Sequence, residues 1–233
     1  LIGKFHKYAP EINLAWFWAR IKKRTPSLGT FPGGFQIFAN RLATEFVRLG
    51  GQISLNAPTT LKSLKSHFDV VLSTSAQPNS KVDYLYSNIL LLEMNKPFLK
   101  NIYWLNILDR SFPFLVTAEH TNFVDKKHFS NTHLLYIGNY LPTGHPLLSL
   151  SLSQVFSKYL PYLKKISSDF SENQIIKKHL FTAPFAQPVM TLNYGKTIPP
   201  IKQSDKFYLA NQSMIYPWDR GINYAIELGQ RAS

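Results

Sequence analysis

The sequence predicts a mixed α/β fold, and three patterns along the chain support this expectation. Residues 68–73 form a nearly continuous apolar run, which is typical of a strand in a sheet covered on both faces. Residues 36–49 carry apolar side chains at helical spacing and are followed by Gly50-Gly51, a common helix stop. From Tyr84 onward, short aromatic segments typical of strands replace this pattern. The chain therefore belongs to the α/β, or mixed α+β, class.

The remaining elements follow in order. Residues 12–24 place Ile12, Trp16 and Ala19 on one face, which predicts an amphipathic helix that ends at Thr25-Pro26. Further strands are predicted at residues 52–55, 89–94, 102–108, 114–119 and 134–140, and further helices at residues 150–166 and 172–179. An extended stretch at 188–193 and a Pro199-Pro200 linker precede a terminal strand that starts at Phe207 and a helix that starts near Arg220.

Composition and charge exclude several classes of protein. A hydrophobic fraction of 45% with 17% charged residues is that of a folded chain, and the lack of cysteine excludes disulfides and thiolate metal sites. The longest apolar run, residues 89–92, is too short to span a bilayer, and no signal-peptide pattern is present, so we expect a cytoplasmic protein. The chain begins at Leu1 and stops within a predicted helix, so we expect a piece of a longer protein.

The net charge of +13 favours anionic partners. The basic residues are scattered and form no recognisable nucleic-acid module, so we expect no nucleic-acid partner. Weak peripheral contact with an acidic membrane surface is favoured over nucleic-acid binding. The simplest interpretation, a basic surface that keeps the protein soluble, is favoured over both.

The last 27 residues carry the most informative pattern. A strand from Phe207 feeds a loop and then a helix whose first turn starts near Gly221-Ile222-Asn223. The free N–H groups and positive dipole end of such a helix suit an anion, or a ring that becomes anionic on reduction.

Several segments together resemble one protein family. They are Gly33-Gly34-Phe35, the helix stop Gly50-Gly51, residues 53–58, the strand Asp69-Val-Val-Leu-Ser-Thr74, residues 208–211 and Arg220-Gly-Ile-Asn-Tyr-Ala225. This order resembles the flavoproteins of the amine oxidase and protoporphyrinogen oxidase-like superfamily. Residues 104–107, 119–124, 136–140 and 186–188 look like the substrate domain of a bacterial branch of FAD-dependent oxidoreductases.

The resemblance implies a split FAD-binding Rossmann-like domain with an inserted mixed β-sheet substrate domain flanked by helices. Residues 1–30 would be a helical segment of the substrate domain, 31–80 an FAD-domain segment, 81–204 the substrate domain and 205–233 a second FAD-domain segment. The implied activity is hydride transfer from a C–H or C–N bond of a small-molecule substrate to FAD.

The resemblance also implies which residues contact FAD. They are Gly33, Gly34, Pro58, Thr74, Asn211, Pro217, Trp218, Asp219, Arg220, Gly221, Ile222 and Asn223. Gly221 and Ile222 would present N–H groups to flavin N1 and O2. Pro58 has no N–H to donate, and Asn211 replaces a common acidic residue. The family's G-x-G-x-x-G fingerprint is missing from the sequence, so we expect this chain alone to bind FAD poorly or not at all.

The resemblance assigns a weaker set of residues to the substrate: Trp104, Glu119, His120, Asn122, Tyr136 and Tyr140. The polar cluster after Ala118 suits substrate orientation or proton transfer, but it is more typical of a hydrogen-bonded strand end. The aromatic residues suit a substrate pocket or an ordinary core. The seven histidines lack metal-ligand spacing, so no metal site is expected.

Two alternatives to an oxidoreductase stay open. A sugar-nucleotide mutase-like isomerase would use reduced flavin without net oxidation and would need basic residues for a diphosphate, yet Arg110 is the only arginine between residues 81 and 204. A degenerate, non-catalytic flavoprotein relative is the second alternative. The scarcity of arginine favours the oxidoreductase.

Overall fold

The computed structural model describes residues 1–23, 27–76 and 81–233. These residues divide into two compact units. The first unit comprises Leu1–Ala9, Gly29–Phe38 and Tyr84–Gln187, and the second comprises Pro10–Leu28, Ala39–Asp83 and Pro188–Ser233. The helices are α1 (Ile2–Phe5), α2 (Leu14–Lys22), α3 (Phe35–Arg48), α4 (Leu61–His67), α5 (Leu152–Ile166) and α6 (Ile222–Ala232). The strands are β1 (Val71–Ser73), β2 (Tyr84–Met94), β3 (Trp104–Asn106), β4 (Val116–Glu119), β5 (His133–Pro142), β6 (Ile175–Pro188), β7 (Lys202–Ser204) and β8 (Phe207–Leu209).

The first unit is built on a five-stranded sheet of order β3-β4-β5-β2-β6. Strands β3, β4, β5 and β2 pair antiparallel, with Leu92 opposite Leu135 and Leu90 opposite Ile137. These four side chains are fully buried with one face of α5, including Leu163. Ser151 and Gln154 form a reciprocal capping box that fixes the start of α5. One face of the sheet thus forms a helix-covered core.

The second unit contains a three-stranded sheet of order β1-β8-β7. Strands β1 and β8 are parallel, with Leu72 opposite Tyr208, and β7 pairs antiparallel with β8. A small cluster of Leu209, Met214 and Leu228 joins this sheet to α6. Strand β1 occupies only the last three positions of the apolar run at residues 68–73, and Leu72 is 46% exposed, so the strand is not covered on both faces as the run predicts.

Several predicted elements have the expected type with shifted ends. Helices α2, α3, α5 and α6 and strands β2, β3, β4, β5 and β8 overlap their predictions. The end predicted for the first amphipathic helix, at Arg24 and Thr25-Pro26, lies outside the described residues. Gly50 terminates α3 with a φ of 92° and an N–H bond to Val47, which confirms the predicted stop. The predicted extended stretch at 188–193 contributes one isolated bridge, between Thr191 and Ile12.

Two predicted elements are wrong. Residues 172–179 do not form a helix: a single 3₁₀ turn, Glu172–Gln174, leads into β6. The apolar spacing there resembles a helix because β6 is an edge strand with most of its side chains exposed, so its apolar and basic residues do not alternate. Residues 52–55 are coil, and the sequence prediction missed α4, whose first turn is capped by Thr60. Among the described residues, no helix has both the length and the apolar character needed to cross a bilayer.

Candidate functional site

In the second unit, the carboxyl ends of the parallel strands are tied together by Asn211. Its amide group donates to the Ser75 carbonyl, at 3.0 Å, and its Oδ1 accepts from the Ser213 N–H and hydroxyl at 3.0 and 2.6 Å. The Ala210 N–H adds a bond to Ser73 at 2.9 Å. Asn211 is 5% exposed. Its buried side chain therefore holds the strand ends in place, at the edge of a parallel sheet where ligands commonly bind.

The loop between β8 and α6 concentrates aromatic and charged side chains. The Tyr216–Pro217 peptide is cis, and the Trp218 ring stacks on Tyr224 with ring centroids 5.8 Å apart. Asp219 forms an ion pair with Arg20 of α2 and a second with Arg220, at 3.5 Å. Its Oδ1 is buried and makes no hydrogen bond within the described part of the chain. The Asp219 side chain therefore pairs with Arg20 through Oδ2 and with Arg220 through Oδ1.

Helix α6 begins immediately after this loop. Gly221 is its N-cap residue and carries no side chain that could cap the first turn, and no side-chain cap is made. The first bond that closes the helix runs from the Ala225 N–H to the Gly221 carbonyl. The N–H groups of Ile222 and Asn223 in the first turn therefore point along the helix axis as donors, at the positive end of the dipole.

The other predicted cofactor residues lie elsewhere. Gly33 and Gly34 form a turn with positive φ values of 83° and 81° at the start of α3, and they belong to the first unit. Pro58 lies in exposed coil of the second unit, and Thr74 is exposed directly after β1. Within the second unit, Thr74 follows the strand end that Asn211 anchors, and residues 217–223 follow Asn211 in sequence.

In the first unit, Glu119 and Asn122 are engaged in structural hydrogen bonds. The Glu119 carboxylate is fully buried and accepts from the Phe98 N–H at 2.9 Å and from the Thr121 hydroxyl at 2.8 Å. The Asn122 amide donates to the carbonyls of Leu99 and Ile102, at 2.7 and 2.9 Å. These contacts match the strand-end interpretation of the polar cluster, and a substrate role for either residue stays a prediction.

The predicted aromatic substrate residues share the sheet face that lies opposite α5. Trp104 pairs with Ala118, and Ala118 pairs with Tyr136, so all three project to the same side. Tyr140 lies four residues farther along the same strand and therefore on the same face. Trp104 is 51% exposed, whereas Tyr136 and Tyr140 are half-buried. We call this side of the five-stranded sheet the aromatic face.

His120 lies at one end of the aromatic face. Its ring centroid is 5.7 Å from that of Tyr136, 5.3 Å from Phe129 and 6.4 Å from Phe123. Burial among these rings lowers the pKa of His120 below its ordinary value, which favours the neutral imidazole over the charged form. Burial, with a further contribution from Tyr103, raises the pKa of Tyr136. A neutral imidazole beside a protonated phenol can accept a proton or donate a hydrogen bond.

Sequence reasoning missed two residue pairs near these candidates. Arg20, which pairs with Asp219, lies about 200 positions away in the sequence, so no local pattern connects the two. Glu93 and His179 form an ion pair at 2.8 Å, and Glu93 lies opposite Leu134 on the aromatic face. The pair was missed because residues 172–179 were predicted as a helix, so His179 was not expected to lie in the sheet beside Glu93.

Neither of two cavities in the structure combines the size of a typical ligand site with the predicted site residues. A cavity of about 60 Å³ lies between the loop and α6, bounded by Tyr216, Trp218 and Leu228. That volume is far below the roughly 300–1,000 Å³ of typical ligand sites. A larger one, about 500 Å³, lies at the start of α5, beside Phe156 and Lys178, and contains none of the predicted substrate residues. No cluster of side chains suited to a metal ion occurs in the described ranges.

Comparisons with known proteins give a likeness in fold. The chain superposes on a protein of Exiguobacterium sp. 255-15 that is provisionally assigned as a protoporphyrinogen oxidase, with a TM-score of 0.53 and 15% identity. It also superposes on reduced UDP-galactopyranose mutase, with a TM-score of 0.54 and 13% identity. The matches cover 70% and 69% of this chain but only 39% and 40% of the two proteins. No family model and no curated protein sequence matches the chain.

These matches confirm the coarse prediction of a mixed α/β fold shared with part of a protoporphyrinogen oxidase-like protein. At these identities they show the fold alone. The residues of the second unit fit the polar edge of a flavin in kind. Helix α6 offers donor N–H groups for ring oxygen and nitrogen atoms.

Proposed function

We propose that this chain is part of an FAD-dependent oxidoreductase that takes a hydride from a C–H or C–N bond of a small molecule. The observation that carries the proposal is the uncapped start of α6, which follows directly from a loop anchored at the ends of parallel strands. Partial likeness to a provisionally assigned protoporphyrinogen oxidase supports it. The activity belongs to the complete protein, because the chain spans about two fifths of the lengths of the proteins it matches.

The second unit would hold the flavin ring through its own polar groups. The N–H groups of Ile222 and Asn223 would donate to the ring, and Asp219 would hold the preceding loop in place through its ion pairs. FAD, when bound, supplies hydride acceptance. The positive end of the α6 dipole would stabilise negative charge on the ring, which is electrostatic preorganisation. Arg20 and Arg220 orient the Asp219 side chain through their ion pairs.

The first unit carries the residues that we expect to contact the substrate. Trp104 and Tyr136 on the aromatic face would contact an apolar part of the substrate. His120, whose pKa burial lowers, would accept a proton or orient a polar group of the substrate. We assign no obligatory protein base to the reaction.

A visible absorption spectrum of the protein expressed from its complete reading frame tests the proposal. Flavin bands that bleach on reduction are the expected result. A colourless, folded protein that takes up no added FAD would refute the cofactor and favour the degenerate relative. Asp219→Ala should weaken FAD binding, measured by quenching of flavin fluorescence, whereas Asp205→Ala, which alters an exposed carboxylate of the same unit, should not.

The mutase-like isomerase is the second candidate, because the superposition on UDP-galactopyranose mutase is as good as that on the oxidase-like protein. The two reactions differ in their electron balance. An oxidoreductase substrate reduces the flavin stoichiometrically under anaerobic conditions, and an acceptor reoxidises it. A mutase converts substrate to isomer with the flavin still reduced at the end. Anaerobic titration of the holoprotein with candidate substrates distinguishes them.

We also propose weak peripheral contact with acidic membrane surfaces, on the basis of the net charge of +13. Co-sedimentation with vesicles tests it. Binding to vesicles containing phosphatidylserine should exceed binding to neutral phosphatidylcholine vesicles and should fall with added salt. Equal recovery with the two lipids would refute an electrostatic contact.

A further inference from the structure

A row of polar side chains crosses the otherwise apolar face that the five-stranded sheet turns toward α5. Asn88 of β2 lies directly opposite Asn139 of β5, and the two are 1% and 7% exposed. Thr117 of β4 projects to the same face, because it lies opposite Ile137 of the helix-covered core. Its side chain is fully buried. Tyr159 of α5 is fully buried in that core and approaches Asn139. We call these four side chains the polar row.

Only part of the hydrogen-bonding capacity of the polar row is used. The Asn88 amide group donates to the Thr182 hydroxyl at 3.0 Å, and the Asn139 amide group donates to the Pro113 carbonyl at 2.7 Å. The remaining four oxygens are Asn88 Oδ1, Asn139 Oδ1, Thr117 Oγ1 and the Tyr159 hydroxyl. All four are buried, and none makes a hydrogen bond of ordinary geometry within the described part of the chain, although the Tyr159 hydroxyl has a weaker side-chain interaction with Asn139. Four unmatched oxygens on one layer of a core require a common explanation, because buried polar groups are nearly always paired.

The chemistry of these oxygens matches one small ligand. The two amide oxygens only accept hydrogen bonds, whereas the Thr117 and Tyr159 hydroxyls can also donate. Burial raises the pKa of Tyr159 to about 12, so its hydroxyl keeps the proton that it would donate. A water molecule donates two hydrogen bonds and accepts two. A monovalent cation fits less well, because all four groups are neutral and supply no charge to offset its desolvation.

We propose that the polar row is a hydration site, in which at least one internal water bridges Asn88, Asn139 and Tyr159. Directly opposed residues of antiparallel strands have Cβ atoms about 5 Å apart, a span that one water can bridge between side-chain oxygens. The water links the central strands of the sheet to α5. Thr117, on the neighbouring strand, lies within the same polar layer and supplies a further partner to this water or to a second one.

Water-selective nuclear Overhauser spectra of the complete, folded protein test the site. Long-lived cross-peaks are expected between water and the side-chain amide protons of Asn88 and Asn139. Tyr159→Phe should remove or shorten the lifetime of this water, whereas Tyr162→Phe, on the half-buried side of the same helix, should leave it unchanged. Thr117→Val, a substitution of nearly equal shape, provides a second variant if Tyr159→Phe does not fold.

A high-resolution crystal structure of the unmodified protein provides an independent test. Electron density for a water within hydrogen-bonding distance of both amide oxygens would support the site. Direct contact between the Tyr159 hydroxyl and an amide oxygen, with no density between them, would overturn it. Cross-peaks that are equally strong in Tyr159→Phe, or density whose occupancy follows the sodium concentration, would also overturn it.

Discussion

The two units bury the side chains of their sheets to different extents. In the first unit, α5 covers one face of five strands and Leu135, Ile137 and Leu163 are fully buried. In the second unit, the parallel strand β1 leaves Leu72 46% exposed, and none of the ten α3 residues that belong to this unit, 39–48, is buried. Parallel sheets are normally covered on both faces. The first unit is therefore stabilised mainly by its apolar core, whereas the hydrogen bonds of Asn211 contribute a larger share of the stability of the second unit.

The largest expected effect is the loss of core packing in the first unit. Leu163→Ala should lower the free energy of unfolding by about 3–5 kcal/mol, because it leaves a cavity beneath a fully buried position. Leu72→Ala, the matched change on β1, should cost less than about 1 kcal/mol. Urea denaturation followed by circular dichroism measures both. Equal costs would contradict the contrast between the two units.

The buried carboxylate of Glu119 should have the next largest effect. Glu119→Ala removes the acceptor of the Phe98 N–H and the Thr121 hydroxyl, so the free energy of unfolding should fall by about 2–3 kcal/mol. Glu172→Ala, at an exposed position of the same unit, is the control and should be nearly neutral. A folded, fully stable Glu119→Ala protein with impaired substrate binding would instead favour the predicted substrate role.

The fate of Glu119 shows how far sequence reasoning reaches. Its position at the end of a strand was predictable, because the short β-rich segment at residues 114–119 ends there. Its hydrogen bonds were not, since the Phe98 N–H lies 21 positions away and is brought near only by folding. The ion pair between Arg20 and Asp219 could not be predicted for the same reason, since the two residues are far apart in the sequence. The end of α3 at Gly50 was predictable, because a glycine that ends a helix acts within a single turn of the chain.

The error at β6 has a different physical cause. Helical and extended structure are separated in sequence by the period of burial, and an exposed edge strand has no clear period. Its strand state comes from the backbone ladder with β2, which is a non-local interaction. In the second unit the order of strand, loop and helix after Phe207 was predictable. The tie from Asn211 to the Ser75 carbonyl, which connects strands far apart in sequence, was not.

Asn211 provides the test of polar anchoring in the second unit. Asn211→Ala should lower the free energy of unfolding by about 1–2 kcal/mol, because the Ser75 carbonyl and the Ser213 N–H lose their partner. Thermal unfolding measures the change, with the exposed Asn173→Ala as control. Hydrogen exchange should locate the loss of protection at the ends of β1 and β8. Loss confined to the first unit would contradict the assignment of Asn211 as the anchor.

The smallest expected effect is a pH dependence that arises from His120. Because burial lowers its pKa in the folded state, the unfolded chain binds a proton more strongly, and stability should fall as pH decreases below about 6.5. His120→Gln should flatten this part of the stability curve, although His133 and His145, whose pKa values burial also lowers, keep some slope. Titration of the imidazole C–H signals by NMR measures the His120 pKa directly, with exposed His128 as the reference signal. A His120 pKa at or above the ordinary value would mean that the aromatic face admits water freely, and the case for a neutral, proton-accepting imidazole beside Tyr136 would fail.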